Sequence, residues 1–325
     1  MSKTKKIIII TSMLALFFIV HILSYFVLGS ILADFAFNPK LKEIGKSIET
    51  SVTNDFLEDT DQVFKEEREW YQNIEKSLVH INCDDGVKLV SVKIDNEQES
   101  DKWAIILHGY RGSSSQMSNY AKHYYEQGYN ILLPNLRAHG LSGGEYITFG
   151  WQDRLDIINW INEIININTN AKIVLHGLSM GASTVMMTTG EILPQNVKVA
   201  VSDCGYSGVY DEFYYLAKGY LKIGTFPALN SLELFAEKRL GFDIKNASTT
   251  SQLAKSITPT LFIHGEADTF VPYYMLDKNY NSAIQLIDGD TKYKLTVPKA
   301  IHGMSAGVNE ELYWSTVWNF VNKFI

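Results

Sequence analysis

The stretch Lys172-Ile173-Val174-Leu175-His176-Gly177-Leu178-Ser179-Met180-Gly181-Ala182-Ser183 decides how the rest of the chain is read. A short apolar run rich in β-branched residues stops at a Gly-x-Ser-x-Gly pattern. An apolar, small-residue segment, Ala182 to Thr189, follows with helical character. The spacing predicts a strand that turns sharply into a helix, with Ser179 at the tip of the turn. A serine held there sits in a strained backbone conformation, and side chains at the flanking positions would collide across the turn. Gly177 and Gly181 remove those side chains. The Ser179 hydroxyl then projects above the sheet, and the first N–H groups of the helix, led by that of Met180, point at negative charge developing beside it. With Gly near about 7% of residues and Ser similar, such a pattern arises by chance in roughly one chain in ten of this length. Context must therefore carry the reading.

Upstream, Leu78 to Cys83 and Val87 to Ile94 are strand-like runs joined by Asp84-Asp85-Gly86, a hairpin signal. From Trp103 strands alternate with helices: Trp103–Leu107 then Ser115–Gln127, Tyr129–Leu133 then Trp151–Ile165, Lys172–Leu175 then Ser179–Gly190, and Val197–Ser202. Such alternation predicts right-handed crossovers and a mainly parallel sheet covered by helices on both faces. The rhythm breaks over residues 205–257, where Val209–Ile223 and Asn230–Leu240 are the clearest helical stretches. It resumes with Thr260–His264, Tyr273–Ser282, Tyr293–Val297 and Glu310–Phe324. An all-helical insertion after the sixth strand reads as a cap over the carboxyl ends of the strands, where ligands bind in such sheets.

The connections after the strands hold the remaining chemistry. His108-Gly109-Tyr110-Arg111-Gly112 can offer a backbone N–H, that of Tyr110, opposite the N–H of Met180, making a two-donor oxyanion hole. His264-Gly265-Glu266-Ala267-Asp268 supplies two acids, either of which could orient a histidine, and Asp203 is a third candidate. Asp268 lies further along its loop and is followed by Val271-Pro272, so its side chain can swing over the sheet top. Of eight histidines, His302 alone sits C-terminal to both serine and acid on a loop reachable from the sheet top. There it can act as general base towards Ser179. His21 lies in an apolar N-terminal run, and His80 and His123 fall in early strand and helix positions. His108, His176 and His264 precede glycines, where histidines are more often packed and hydrogen-bonded than basic.

With these residues in place the chain resembles the α/β-hydrolase superfamily, in the branch of bacterial serine hydrolases that includes cinnamoyl (feruloyl) esterase-like, serine aminopeptidase-like and membrane-anchored proteins. The matching residues are His108-Gly109-Tyr110, the run Leu136-Arg137-Ala138-His139-Gly140-Leu141-Ser142-Gly143-Gly144, Gly177 to Gly181, His264-Gly265 with Asp268 and Val271-Pro272, and His302-Gly303. Coverage runs from about Leu78 to the C-terminus. The resemblance implies a Ser179, Asp268, His302 triad and no cofactor. Asn135-Leu136 stands where relatives often carry Asp before the Arg-x-His-Gly-x-Ser stretch. Haloalkane dehalogenases and epoxide hydrolases of this fold place Asp at the nucleophile position, which here is Ser179. No His-Glu-x-x-His or Cys pair suggests a metal.

The expected activity is acyl transfer on small-molecule esters, with a carboxylesterase favoured over a serine peptidase or amidase. Tyr206, Tyr210, Phe213, Phe226 and Phe235 make the cap aromatic and suit it to an apolar acyl or aryl pocket. A catalytically silent, surface-displayed binding protein on the same fold would show a lost triad residue, and none is lost.

The N-terminus adds a membrane. Lys3, Lys5 and Lys6 precede Ile7 to Leu32, 26 residues without a charged side chain. That exceeds the about 20 residues needed to cross the hydrocarbon core. A signal-peptide apolar region is normally about 7–15 residues long and ends in a small-x-small cleavage site, which Ala33-Asp34-Phe35-Ala36 does not cleanly provide. The reading is a cytoplasmic tail over 1–6, a transmembrane signal anchor over 7–32, a juxtamembrane helical spacer over 33–76 and the catalytic domain over 77–325, outside the cytoplasm. Apolar residues at Ile44, Ile48, Val52, Phe56, Val63 and Phe64 give the spacer its helical period. A net charge of −7 and the lack of a Lys/Arg stripe argue against nucleic acid as a partner. Only Cys83 and Cys204 are present, so this is no disulfide scaffold.

Overall fold

The computed structural model describes residues 2–41, 63–220, 222, 224–285 and 291–325. Eight strands form one sheet: β1 (Ser77–Asn82), β2 (Lys88–Ile94), β3 (Lys102–Leu107), β4 (Asn130–Pro134), β5 (Lys172–Leu178), β6 (Val197–Asp203), β7 (Thr260–Gly265) and β8 (Lys292–Val297). Their order is β1-β2-β4-β3-β5-β6-β7-β8. β1 and β2 pair antiparallel, as do β2 and β4, and every other pairing is parallel. Gly86, at φ +82°, closes the predicted hairpin between β1 and β2.

The parallel strands read as continuous apolar runs because both of their faces are covered. Along β3, Trp103, Ile105 and Leu107 join one core layer, while Ala104 and Ile106 join the other. This is the period-two alternation of a strand divided between two helical layers. The helices are α1 (Lys3–Phe37), α2 (Lys65–Asn73), α3 (Ser118–Glu126), α4 (Asp153–Ile167), α5 (Met180–Thr189), α6 (Val209–Tyr215), α7 (Thr225–Leu240), α8 (Thr249–Leu253), α9 (Tyr274–Ser282), α10 (Ser305–Val308) and α11 (Glu310–Val321). Ile157, Trp160, Ile161 and Ile164 of α4 pack in the first layer. Tyr120 and Tyr124 of α3, with Tyr313, Trp314 and Val317 of α11, pack in the second.

The helical cap follows β6 as expected, with shifted boundaries. The helix predicted over Val209–Ile223 is α-helical only to Tyr215 and continues as a π-helix over Leu216–Tyr220. The one predicted from Asn230 belongs to α7, whose unbroken helical turns begin at Pro227: Phe226 is extended at φ −101°, ψ 131°, and proline suits a first turn, where an N–H would have no intrahelical acceptor. β5 likewise runs past Leu175 to Leu178, since Gly177 pairs with both Leu107 and Ser202.

The N-terminal helix is one uninterrupted rod of 35 residues, and residues 2–24 are exposed along its whole circumference. It does not stop where its apolar run stops. Ala33, Ala36 and Phe37, expected in a spacer, continue the helix and are buried against the cap. The contact is close: a Cβ on Gly29 would stand 2.6 Å from the Ser231 carbonyl oxygen of α7. The rings of Phe26 and Phe235 meet edge to face at 6.2 Å between centroids. Arg239 donates to Ser30 O at 3.1 Å, Ser30 Oγ at 2.9 Å and Asp34 Oδ2 at 3.2 Å. Most of the remaining predicted spacer, including Ile44, Ile48, Val52 and Phe56, lies outside the described residues. Its end forms α2, where Trp70 packs on Tyr125.

Candidate active site

Ser179 sits between β5 and α5 at φ 55°, ψ −117°, a region a non-glycine residue occupies only when its surroundings impose it. The surroundings are backbone: Ser179 N donates to Asp203 O at 2.8 Å, and Ser183 N donates to Ser179 O at 3.0 Å. A Cβ on Gly177 would lie 2.2 Å from Gly181 O, and one on Gly181 2.2 Å from Leu107 O. Both glycines are therefore required by close backbone approach.

The loop after β8 brings His302 Nε2 to 2.8 Å from Ser179 Oγ, and His302 Nδ1 lies 2.7 Å from Asp268 Oδ2. Asp268 is held from its other side, where Oδ1 accepts from Phe270 N at 2.9 Å and Val271 N at 3.0 Å. His264 Nε2 stands 3.2 Å from the Oδ2 atom. Burial opposes charge on this carboxylate, but the nearby His302 and the His264 and His302 hydrogen bonds hold it down at about 2.

The rival acids have other surroundings. Glu266 is exposed. Asp203 is fully buried, its Oδ2 accepts from Tyr120 Oη at 3.2 Å, and burial pushes it up to about 6. His176 is a packed core residue between the hydroxyls of Tyr124 and Tyr313, each at 3.1 Å, and burial lowers it to about 3. Cys83 and Cys204 are both buried and unbridged.

Gly109 comes so near Ser179 that a Cβ on it would stand 3.4 Å from that of the serine. This places the backbone of the 108–111 loop beside the serine. Met180 is the first residue of α5, so its N–H has no intrahelical acceptor. Two histidines hold the loop in place. His108 Nε2 accepts from Leu136 N at 3.1 Å, and His139 Nε2 accepts from Arg111 N at 3.0 Å while its Nδ1 donates to Arg137 O at 2.7 Å. Arg137 is anchored in turn by a bidentate pair with Asp156, at 2.5 and 2.7 Å. The bracing by His139 is not visible in the sequence, where His139-Gly140 reads only as part of a family-like stretch. The one signal was the repeat of a His-Gly pair after two adjacent strands.

Residues 103–241 match the family model described as the alpha/beta hydrolase fold. The chain has the α/β-hydrolase fold. Its similarity to the Pyrococcus furiosus esterase Pf2001 is 26% identity with a TM-score of 0.62, covering 78% of this chain and 95% of that one. An acylaminoacyl peptidase of Pyrococcus horikoshii shares the fold at 17% identity and a TM-score of 0.54, over 78% of this chain and 43% of that one. The uncharacterized protein YqkD of Bacillus subtilis strain 168 is 25% identical over 228 residues, 67% of this chain and 70% of that protein.

In this α/β hydrolase the end of the N-terminal helix reaches the loop beside Ser179. The last carbonyls of a helix have no intrahelical donors. Here Phe35 O accepts from Arg111 Nη2 at 2.6 Å, Ala36 O from Tyr110 Oη at 2.8 Å and Phe37 O from Ile147 N at 2.8 Å. The Tyr110 ring stacks on Phe149 at 5.1 Å, and Phe37 meets Phe149 and Phe213 of the cap edge to face.

The cap also buries Glu212, whose two carboxylate oxygens have no hydrogen-bond partner among the described residues. Burial, with Asp268 and Asp211 nearby, raises this carboxyl well above its ordinary value. The folded protein therefore keeps a proton that the unfolded chain releases, and stability falls as pH rises past the ordinary carboxyl range. Glu212→Gln should remove that fall. Calorimetry should show the variant melting above the wild type at pH 8 and level with it at pH 4; an equal gap at both pH values would contradict this account.

Proposed function

We propose that this α/β hydrolase is a membrane-tethered serine hydrolase that cleaves carboxylic esters through an acyl-enzyme. The observation that carries the reading is the unbroken chain from Ser179 Oγ to His302 at 2.8 Å and from His302 to Asp268 at 2.7 Å. His302 takes the Ser179 proton as Oγ attacks the ester carbonyl, and the Tyr110 and Met180 N–H groups receive the oxyanion. The tetrahedral intermediate collapses, the C–O bond to the alcohol breaks, and His302 returns the proton to the departing alkoxide. Water then attacks the acyl-serine with His302 again as base, releasing the acid and restoring Ser179.

The similarity to an esterase supports an ester over an amide; of the rings expected to form an apolar acyl pocket, Phe226 is exposed and Phe235 packs on Phe26 of α1 instead. The exposed apolar length of α1 supports a membrane span, and Lys3, Lys5 and Lys6 support a cytoplasmic N-terminus with the domain on the far side. A fluorophosphonate probe should label the full chain in membranes, with the adduct on the Ser179 peptide, and the protein should hydrolyse 4-methylumbelliferyl esters faster than aminoacyl amides. Absence of labelling would overturn the mechanism, and preference for the amides would replace the esterase with a peptidase.

A further inference from the structure

The packing of α1 on α7 fixes how the cap stands relative to a membrane. Ser231 of α7 abuts Gly29, while Arg239 reaches Ser30 and Asp34. An antiparallel pair would put Arg239 level with residue 21, about 20 Å from Asp34 at 1.5 Å per residue. The two helices therefore run in the same direction. Counting four helical residues back from Ser231 puts Pro227 near the level of Tyr25, and the extended Phe226 lies just beyond it.

That level lies inside the apolar run. A hydrocarbon core of about 30 Å takes about 20 of the 26 residues of the run 7–32, and because α7 covers α1 from Phe26 and Gly29 onward, the part left to lipid runs from Ile7 to near Phe26. Phe226, at the tip of the cap that precedes the body of α7, is thus level with the outer edge of the hydrocarbon. Its side chain is 76% exposed, with Pro227 also exposed beside it. Lys218 and Lys222 come just before it in sequence, suited to a layer of phosphate headgroups. At that level an exposed ring is placed to act as an interfacial anchor.

The same rod sets the reacting centre. Ala36, bonded to the Tyr110 hydroxyl, follows Phe26 by ten residues, about 15 Å of helix. The cap and the loop beside Ser179 both meet this end of α1, so the site lies just above the headgroups.

We infer that the cap dips into the bilayer interface and that the hydrolase takes its ester from there, an amphiphile whose acyl chain resides in the membrane. This rests on the serine hydrolase and membrane-span readings above. The test uses the full chain in phosphatidylcholine–phosphatidylglycerol vesicles. In Phe226→Cys the buried Cys83 and Cys204 leave position 226 as the accessible thiol, which is labelled with the fluorophore NBD. Its emission should be quenched by lipids spin-labelled near the headgroup and spared by a soluble quencher. Phe226→Asp should lose at least tenfold in hydrolysis of 4-methylumbelliferyl palmitate carried in the vesicles while keeping hydrolysis of the soluble acetate. Quenching only from the water, or equal effects of Phe226→Asp on both esters, would overturn the inference and leave the hydrolase reading standing. If the wild type hydrolyses neither ester and takes no fluorophosphonate, the hydrolase reading falls first.

Discussion

Ser179→Ala is expected to lower ester turnover by about 10⁶-fold, the scale seen when a serine protease loses its nucleophile, and to abolish fluorophosphonate labelling. The argument is local. The Oγ atom is bonded to His302 Nε2 at 2.8 Å, whereas the fold holds the residue through its backbone, by Asp203 O and Ser183 N. Alanine keeps the Cβ and the same φ of 55°, so the turn carries no new strain. Circular dichroism and Tm should match the wild type. Without the hydroxyl there is no acyl-enzyme, and the remaining catalysis comes only from oxyanion donors and substrate positioning. Turnover within a hundredfold of wild type would mean that another group attacks the ester.

Asp268→Asn should cost about 10⁴ in kcat, the figure for the corresponding change in a serine protease. The carboxylate accepts from His302 Nδ1 at 2.7 Å and so selects the tautomer that leaves Nε2 able to take the Ser179 proton. An amide there can present its NH₂ to Nδ1 and stabilise the opposite tautomer. The two backbone N–H groups that bind Oδ1 can still bind the asparagine oxygen, so the loop should survive and Tm should change little. The wild-type carboxylate, held at about 2, stays ionised from below pH 4 upwards and contributes no limb of its own to the rate profile. In the variant the imidazolium loses its counter-charge, so the acid limb of kcat/KM should move to lower pH. Glu266→Gln and Asp203→Asn should stay within about tenfold of wild type, since a lost outer contact is worth only about 1.4 kcal/mol of barrier. Near-normal turnover in Asp268→Asn would require a different acid.

How much was legible depended on distance along the chain. The strands β3, β5, β6 and β7 announce themselves because burial on both faces demands unbroken apolar runs within a handful of residues. The strand–serine–helix turn is legible for the same reason, since the two glycines that allow the close approach lie four residues apart. Helix ends in the cap were not legible, because Pro227 in a first turn and the π-helical stretch after Tyr215 depend on what the cap packs against.

The choice of acid shows the boundary most clearly. Asp203 closes β6 while Glu266 and Asp268 follow β7, and position along the loop, with Val271-Pro272 behind it, favours Asp268 but does not by itself seat it on the histidine. The path of the 266–272 loop does, by turning Glu266 to solvent and Asp268 onto His302, 34 residues away.

The sequence by itself determined a parallel sheet capped by helices, a serine at a strained turn, a histidine in the right place after the last strand, and an apolar segment long enough for a membrane. Periods of two and 3.6 residues and short glycine spacings encode these locally. The tertiary structure alone decided that the apolar N-terminal helix runs on into the domain, that its final carbonyls are bonded by Tyr110 and Arg111 some 74 to 76 residues away, and that Arg239 locks it to the cap from 209 residues beyond Ser30. Those contacts join surfaces whose meeting depends on how every intervening element packs, and no local pattern carries that information.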